Sequence, residues 1–261
     1  MSARAHPHPA DGEVLRVQGL AKSFGGLTIL QDVSFSVRKG ERRAFIGPNG
    51  AGKSTLFNML AGDLPASDGH IHYFEENITR LPNYQRVDRG IVRSFQKNNL
   101  FLQLSVLENL LLVLQRQTGL ERVWYRSRVK KNFPGLYDQA EQLLVSWGLA
   151  DRKEQNVGEL SYGEQRQVEI LLAVATRPQL LLLDEPTAGM SNLETQHIVN
   201  LLRRMPEDLT ILIIEHDMDV VFGLADTVTL LHNGGVYLEG EPQAIRNDPR
   251  VYEVYFGGER D

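Results

Sequence analysis

The chain contains 261 residues, 42% of them hydrophobic and 23% charged, which suits one large α/β domain with a substantial core. Its 28 basic and 33 acidic residues give a formal net charge of −5, which argues against nucleic acid as a general partner. The absence of cysteine excludes disulfides, thiol catalysis and cysteine-ligated metals. No stretch approaches the ~18 apolar residues of a membrane-spanning helix, so any membrane role is expected to be peripheral.

The first part of the chain is predicted to combine antiparallel strands with a strand–loop–helix unit. Residues 1–12 are rich in His, Pro and Ala, lack an apolar signal segment and are expected to form a disordered tail. Alternating apolar residues predict strands at 14–20 and 33–37, on either side of a turn that carries Phe24. Shorter strands are predicted at 43–46 and, after a turn at 67–69, at 71–74.

Residues 47–55 fit the phosphate-binding pattern G-x-x-x-x-G-K-[ST], and they lie between a buried strand and an apolar helix that ends at Gly62. Glycines permit a tight loop whose N–H groups point inward, and the helix N-terminus adds positive potential. Lys53 can reach terminal phosphates, and the Ser54 hydroxyl can bind Mg²⁺. The predicted nucleotide-binding residues here are Gly47, Pro48, Asn49, Gly50, Ala51, Gly52, Lys53, Ser54 and Thr55.

The segment from about residue 81 to 158 is predicted to be mainly helical. Ser105 and Glu108 have the spacing of a capping box that opens an apolar helix to residue 117, and a helical period resumes at 136–147. The basic and aromatic residues between Arg122 and Lys131 suit a membrane-side surface and a solvated loop about equally. We interpret about 97–165 as an inserted helical subdomain.

Two predicted buried strands end in polar residues. A leucine run at 180–183 precedes Asp184 and Glu185, and the apolar run at 211–214 is followed by His216 two positions later. Ligands of open α/β sheets gather at the carboxyl ends of strands. Asp184 is therefore predicted to hold Mg²⁺, directly or through water, and Glu185 to polarise the water that attacks a γ-phosphate. His216 could contact that phosphate and orient the water.

Two further segments add candidate ligands. Gln96 could complete the contacts to Mg²⁺ or to the water. Ser161 and Glu164 have capping-box spacing at the start of a helix, whose N-terminus, with the Ser161 hydroxyl and the Gly163 backbone, is a potential anion site. The remaining predicted elements are a helix at 193–205, a helix between the strands at 211–214 and 228–231, and a hairpin to 239, without an internal repeat.

The phosphate-binding loop, Gln96, the segment Leu-Ser-Tyr-Gly-Glu-Gln at 160–165, the acids after the leucine run and His216, in this order, resemble the ATP-binding cassette (ABC) ATPases. The resemblance covers about residues 14–257. It implies an α/β fold, with a RecA-like P-loop NTPase core, an N-terminal antiparallel β subdomain and an inserted α-helical subdomain. Residues 13–257 would form one nucleotide-binding domain, followed by a tail at 258–261.

In that family two cassettes dimerise head to tail and enclose two ATP molecules. The resemblance implies that Ser161 and Gly163 complete the site of the partner subunit, and that Phe24 stacks on adenine. It also assigns Glu185 as the catalytic base and His216 as the switch histidine. Lys53 and Gln96 would assist at the same site, and ATP with Mg²⁺ would be the ligands.

One position departs from the family pattern. Ser191 stands where the family usually has Asp, in a loop that crosses the dimer interface. The resemblance therefore leaves open how the two sites of a dimer communicate in this protein.

Finer features resemble the branched-chain amino acid importers, in particular their LivG-like subunits. They lie at residues 24–27, 93–96, 100–101, 188–190, 194–195 and 248–257. This resemblance implies import of branched-chain or other hydrophobic amino acids, by a peripheral subunit at the cytoplasmic face of the inner or plasma membrane. The implied partners are a second cassette, two transmembrane permease subunits and, indirectly, a periplasmic or extracellular substrate-binding protein. Importers of urea and short amides and the lipopolysaccharide-export ATPase share this cassette type.

Three other classes fit less well. Soluble ABC proteins of translation or DNA repair carry two cassettes or a long coiled coil, and this chain has one P-loop and no heptad run. A degenerate regulatory cassette would not be expected to retain Lys53, Asp184, Glu185 and His216 together. A GTPase is disfavoured because the chain lacks an Asn-Lys-x-Asp motif for reading the base.

Overall fold

The computed structural model describes residues 12–94, 100–117 and 133–256. The chain divides into two compact units, Met1–Arg89 with Pro206–Asp261, and Gly90–Met205. Gln96, the basic stretch at 122–131 and the tails up to residue 11 and from 257 lie outside the described residues. Among the residues that are described, no helix is long and apolar enough to cross a membrane.

The strands and helices follow the predicted order, with five short elements added. The strands are β1 (Glu13–Phe24), β2 (Leu27–Arg38), β3 (Arg42–Ile46), β4 (Asp68–Tyr73), β5 (Glu76–Asn77), β6 (Ile91–Arg93), β7 (Leu180–Asp184), β8 (Thr210–Ile214), β9 (Thr227–His232) and β10 (Gly235–Gly240). The helices are α1 (Lys53–Ala61), α2 (Asn83–Asp88), α3 (Val106–Gln117), α4 (Pro134–Ser146), α5 (Tyr162–Ala175), α6 (Asn192–Arg203), α7 (Met218–Leu224), α8 (Pro242–Arg246) and α9 (Pro249–Phe256). The additions are α2, α8, α9, β5 and β6, which are too short to show a clear period in sequence.

An antiparallel sheet in the first unit has the strand order β2-β1-β4-β5. Strands β1 and β2 pair up to Phe24 and Leu27, so both are longer than their apolar alternation indicated. The predicted turn at 67–69 is only partly correct, because β4 begins at Asp68, where that residue pairs with Ala21. Backbone pairing with a neighbouring strand, which no local pattern encodes, extends these strands.

The first unit also contains strands in the order β10-β9-β3-β8, in which β3 runs parallel to both β8 and β9. A two-residue turn at Asn233 and Gly234 joins β9 to the antiparallel β10, as predicted. Because β3 and β8 are parallel neighbours, their carboxyl ends lie at the same edge. Residues 47–55 follow β3 there, and His216 follows β8.

A buried arginine closes the carboxyl end of helix α1. The Arg86 side chain is 1% exposed, and its N–H groups donate five hydrogen bonds to backbone carbonyls. The accepting carbonyls belong to Met59 (2.7 Å), Leu60 (2.8 Å), Ile78 (2.8 Å), Thr79 (3.1 Å) and Leu81 (2.9 Å). Burial lowers the pKa of Arg86 to about 10, so the side chain stays charged at neutral pH. Its charge thus complements the negative end of the α1 dipole and fixes the helix that begins at Lys53.

The second unit pairs a short parallel β6–β7 ladder with a group of helices. All four leucines at 180–183 are buried, as the leucine run predicted. Helix α3 packs against α4 and α5, with apolar residues of all three buried. The predicted capping boxes are confirmed, because Ser105 with Glu108, and Ser161 with Glu164, exchange the two expected hydrogen bonds.

Candidate functional site

Residues 47–55 connect β3 to α1 in the first unit, as the motif predicted. The φ angles of Gly47, Gly50 and Gly52 are 144°, 82° and 99°, in the region open to glycine. Lys53 begins α1 and donates hydrogen bonds from Nζ to the carbonyls of Gly47 (2.6 Å) and Pro48 (3.1 Å). The loop therefore turns tightly and holds the Lys53 ammonium against its own backbone.

His216 and Phe24 belong to the same unit as the loop. The His216 side chain is exposed, and its backbone N–H donates to the buried Glu215 carboxylate at 3.1 Å. Phe24 ends β1 with 51% of its surface exposed, and the Lys22 ammonium lies 4.9 Å from its ring centroid. An exposed aromatic ring and an exposed imidazole are thus available to a ligand, one at the β1–β2 turn and the other at the edge that carries residues 47–55.

In the second unit, Asp184 ends β7 and forms an ion pair that the sequence did not indicate. Arg93, at the end of β6, approaches Asp184 Oδ2 with Nη2 at 2.5 Å. The two side chains are only 10% and 18% exposed, so solvent screens their attraction less than at an open surface. The parallel pairing of β6 with β7 brings the two residues together although they are 91 positions apart in the chain.

Glu185 directly follows β7 and has a φ of 46°, a left-handed conformation that is uncommon for a glutamate. Its side chain is exposed. Arg166 on α5 donates from Nη2 to the backbone carbonyls of Asp184 (2.6 Å) and Glu185 (3.1 Å), and pairs through Nη1 with Glu169 (2.6 Å). These bonds hold the strained turn that presents the Glu185 carboxylate.

Ser161 caps the N-terminus of α5, in the second unit. Its hydroxyl accepts the Glu164 N–H at 3.3 Å, while the Glu164 carboxylate accepts the Ser161 N–H at 2.9 Å. Arg152 pairs with the other oxygen of Glu164 at 2.9 Å. Burial raises the pKa of Glu164, but the bonds from Ser161 and Arg152 outweigh it and lower the pKa overall. The carboxylate therefore stays ionised at the positive end of the helix.

A third capping box opens α6 beside this loop. The Ser191 hydroxyl accepts the Glu194 N–H, and the Glu194 carboxylate accepts from the Ser191 N–H (2.9 Å) and hydroxyl (2.7 Å). The other oxygen of that carboxylate lies so close to Gly163 that a Cβ at this position would overlap it. Ser191 thus fills the helix-capping position, and its partner Glu194 packs against the glycine of the Ser161 loop.

The predicted site residues fall into two sets. The first unit contains residues 47–55, His216 and Phe24, and the second contains Asp184, Glu185, Ser161 and Gly163. Within the first unit, parallel strands bring residues 47–55 and His216 to one edge. Gln96 lies outside the described residues.

This is the pattern of an ATP-binding cassette. One unit has a phosphate-binding motif of strand, loop and helix, and the other has a pair of acids and a capped Ser-x-Gly segment. A family profile described as "ABC transporter" matches residues 30–188, well over half of the chain. The chain belongs to the ABC transporter family.

Close relatives of this cassette extend over nearly the whole chain. The LivG branched-chain amino acid transport ATP-binding protein of Salmonella typhimurium is 37% identical over 94% of this chain and 98% of its own length. LivG of Escherichia coli is 36% identical, and BraF of Pseudomonas aeruginosa, described in the same words, is 34% identical, with the same coverage. These matches confirm the prediction of an ABC transporter ATPase subunit that resembles LivG.

Solved structures agree on the fold of the ABC cassette. MJ1267, an ATP-binding cassette of an ABC transporter, has a TM-score of 0.82 and 32% identity, covering 94% of this chain and 99% of that one. CbiO1 from Clostridium perfringens, part of an ABC transporter complex, has a TM-score of 0.76 and 27% identity, covering 95% and 97%. The predicted α/β cassette fold is therefore confirmed.

Four residues that contact the predicted site residues are not part of the motifs. They are Arg93, Arg166, Glu194 and Tyr255, whose hydroxyl accepts the Gly47 N–H. Arg93, Glu194 and Tyr255 lie in segments that resemble the importer group. The S-x-x-E spacing from Ser191 to Glu194 is a usable signal for the third capping box. Local sequence carries no signal for the bonds from Arg166 to the carbonyls of residues 184–186, because these lie 18 to 20 positions away, although its partner Glu169 is only three positions away.

Proposed function

We propose that this chain is the ATP-hydrolysing subunit of an ABC importer for branched-chain or other hydrophobic amino acids. The observation that carries the proposal is the match to LivG and BraF over 98% of their length. The chain also retains Lys53, Asp184, Glu185 and His216 together. The geometry of each unit is consistent with catalysis, because the strand ends present ionisable side chains to solvent.

Nucleotide would be held by residues 47–55, with Lys53 at the terminal phosphates and Phe24 on the adenine ring. Ser54 and Asp184 offer the hard oxygen donors that Mg²⁺ prefers, and Gln96 would add a third. Among the described residues, no group of three or more His, Cys, Asp or Glu side chains could hold a metal by itself. This fits Mg²⁺, which is usually bound by one or two protein oxygens together with substrate phosphates. When bound, Mg²⁺ would neutralise charge that develops on the phosphate oxygens.

Glu185 would act as the general base that accepts a proton from the attacking water. Its left-handed φ of 46° is a backbone strain of the kind that clusters at catalytic positions and costs about 1–3 kcal/mol. The Arg166 bonds to the carbonyls of residues 184 and 185 offset this strain and hold the turn that carries Glu185. His216 would hydrogen-bond the γ-phosphate and orient the water.

Hydrolysis would require a second cassette, because Ser161 and Gly163 would bind the γ-phosphate held by the partner subunit. Residues 13–257 would then act as one nucleotide-binding domain, with a helical subdomain at about 97–165 that contacts the membrane subunits. The assembly would include two permease subunits and, outside the membrane, a substrate-binding protein. The cassette would therefore work at the cytoplasmic face of the membrane without crossing it.

The catalytic assignment is tested with Glu185→Gln, which keeps the side-chain shape but removes the base. We expect this variant to bind ATP with unchanged affinity and to lose at least 100-fold in turnover. Glu159→Gln, an exposed glutamate in the same unit, is the matched control and should retain wild-type turnover. Full hydrolysis by the Glu185 variant would overturn the assignment.

The cargo is tested by co-purifying the cassette with its membrane subunits and reconstituting them with their binding protein in vesicles. ATP-dependent uptake of labelled leucine is the expected result. Uptake of urea without uptake of leucine would reject the amino-acid assignment while keeping the ABC importer.

A mixture of Ser161→Ala and Lys53→Ala subunits tests the trans site, because one composite site should keep its affinity for ATP while the other loses it.

A further inference from the structure

The first glycine of the phosphate-binding loop is held by the last helix of the described chain. The backbone N–H of Gly47 donates a hydrogen bond to the Tyr255 hydroxyl at 2.8 Å, across 208 positions of sequence. Tyr255 lies on α9, and both residues belong to the first unit. No nucleotide-binding motif contains this tyrosine.

Helix α9 is docked by side chains that surround Tyr255. Val251, Val254 and Tyr255 pack against a buried cluster to which Ile46 and Leu230 belong. Burial raises the pKa of Tyr255, more strongly than the bond from Gly47 lowers it. The hydroxyl is therefore neutral at physiological pH and keeps lone pairs that can accept an N–H.

Gly47 is constrained on its other sides. Its φ of 144° is accessible to glycine, and a Cβ at this position would overlap the carbonyl oxygen of Leu231. Its own carbonyl accepts the Lys53 ammonium at 2.6 Å. The Gly47 residue therefore connects the Tyr255 hydroxyl on one side to the lysine of the motif on the other.

We propose that Tyr255 is a positioning residue for nucleotide binding. By accepting the Gly47 N–H, it fixes the start of the loop and, through the Gly47 carbonyl, the place of Lys53. Helix α9 thereby becomes part of the nucleotide site rather than a terminal appendage. This inference rests on the proposed role of residues 47–55 as the ATP phosphate site.

The test is Tyr255→Phe, which removes the hydroxyl and leaves the ring packing. Tyr252→Phe on the same helix is the matched control, because that side chain is 68% exposed. The dissociation constants of a fluorescent ATP analogue and of ADP are measured together with Tm, kcat and KM. Loss of one buried hydrogen bond predicts about five- to tenfold weaker binding of both nucleotides and a matching rise in KM. Tyr252→Phe should stay within twofold of wild type.

A purely structural role would give a different result. Val254→Ala loosens the same packing without touching the hydroxyl, so it should lower Tm and leave nucleotide affinity unchanged. If Tyr255→Phe also lowers Tm alone, with affinity within twofold of wild type, the inference is overturned. If Tyr255→Phe does not fold, 3-fluorotyrosine at position 255 makes the hydroxyl a weaker acceptor, and unchanged nucleotide affinity in that protein would equally overturn it.

Failure of the proposed function would be visible separately. If the wild-type protein binds no ATP analogue, or if Lys53→Ala protein binds it as well as wild type, residues 47–55 are not the ATP phosphate site. If the wild-type protein binds the analogue, Lys53→Ala abolishes binding and Tyr255→Phe leaves it unchanged, the phosphate site stands and only the role of Tyr255 is refuted.

Discussion

The Glu194 carboxylate packs so closely against Gly163 that a Cβ at this position would overlap one of its oxygens. The contact joins the N-termini of α5 and α6, each of which is closed by its own capping box. It gives a physical reason for the second glycine of the Leu-Ser-Tyr-Gly loop that does not depend on nucleotide. The first prediction follows from this contact.

Gly163→Ala should be less favourable than Gly135→Ala by about 1 kcal/mol, because both changes gain helix propensity but only the methyl group at 163 displaces the Glu194 carboxylate from its capping box. Gly135→Ala is a matched control, since Gly135 is also the second residue of a helix and has nothing within 4 Å of its Cβ position. In a Glu194→Ala background, Gly163→Ala should be better tolerated, whereas the effect of Gly135→Ala on stability should not change. Urea unfolding measures the free energy of unfolding of each single and double variant. If the effects of Gly163→Ala and Glu194→Ala on that free energy are strictly additive, the contact is contradicted.

The serine that departs from the family pattern should behave as a helix cap. Ser191→Ala and Ser161→Ala should each lower stability by about 1 kcal/mol, because each removes one capping hydroxyl. Ser191→Asp should remain near wild type, since Asp caps helices as well as Ser. ATP-driven dimerisation, measured by light scattering, should be lost only in Ser161→Ala. Loss of dimerisation in both alanine variants would show that Ser191 also acts across the interface.

The stabilisation from Glu194 should depend on pH. The N–H bond from Ser191 lowers the pKa of Glu194, followed by the bond from the Ser191 hydroxyl, against smaller opposing effects of burial and of the Glu164 charge. Because the folded-state pKa lies below the unfolded value of about 4.3, the stabilisation is present above that value and is lost as the pH falls through the folded pKa. Unfolding curves of wild type and Glu194→Gln should therefore differ at pH 7 and converge on acidification.

Removal of Arg93 should destabilise the second unit. Arg93→Met leaves the Asp184 carboxylate without its mostly buried partner, at a cost of about 1–3 kcal/mol, below that of a fully buried pair. Arg89→Met breaks an exposed pair with Glu76 and should change stability little. Thermal unfolding distinguishes the two variants, and equal stability in both would mean that the Arg93 pair contributes no more than a surface ion pair.

The buried Arg86 should be essential to the first unit. Arg86→Met removes five hydrogen bonds to buried backbone carbonyls, so we expect a loss of about 3 kcal/mol or more. Arg86→Lys should rescue only partly, because an ammonium lacks the planar set of five N–H groups. Arg80→Met, at an exposed arginine nearby, is the control. Wild-type stability of Arg86→Met in urea would contradict this role.

Much of the cassette was predictable from sequence because its signals are local. The leucine run of β7, the loop at 47–55 and the capping boxes at Ser105 and Ser161 each depend on residues a few positions apart. The third capping box, from Ser191 to Glu194, has the same local spacing, so it too was predictable from sequence.

Contiguous residues encode strands, helix caps and a phosphate loop, so the sequence was enough to indicate the kind of protein and the chemistry that its motifs can perform. The side chains that hold those motifs in place are visible only in the packed chain. Arg93 meets Asp184 through the pairing of two parallel strands, and Tyr255 meets Gly47 through the docking of the last helix. Partners that are 91 and 208 positions apart share no periodicity or spacing, so packing alone brings them together.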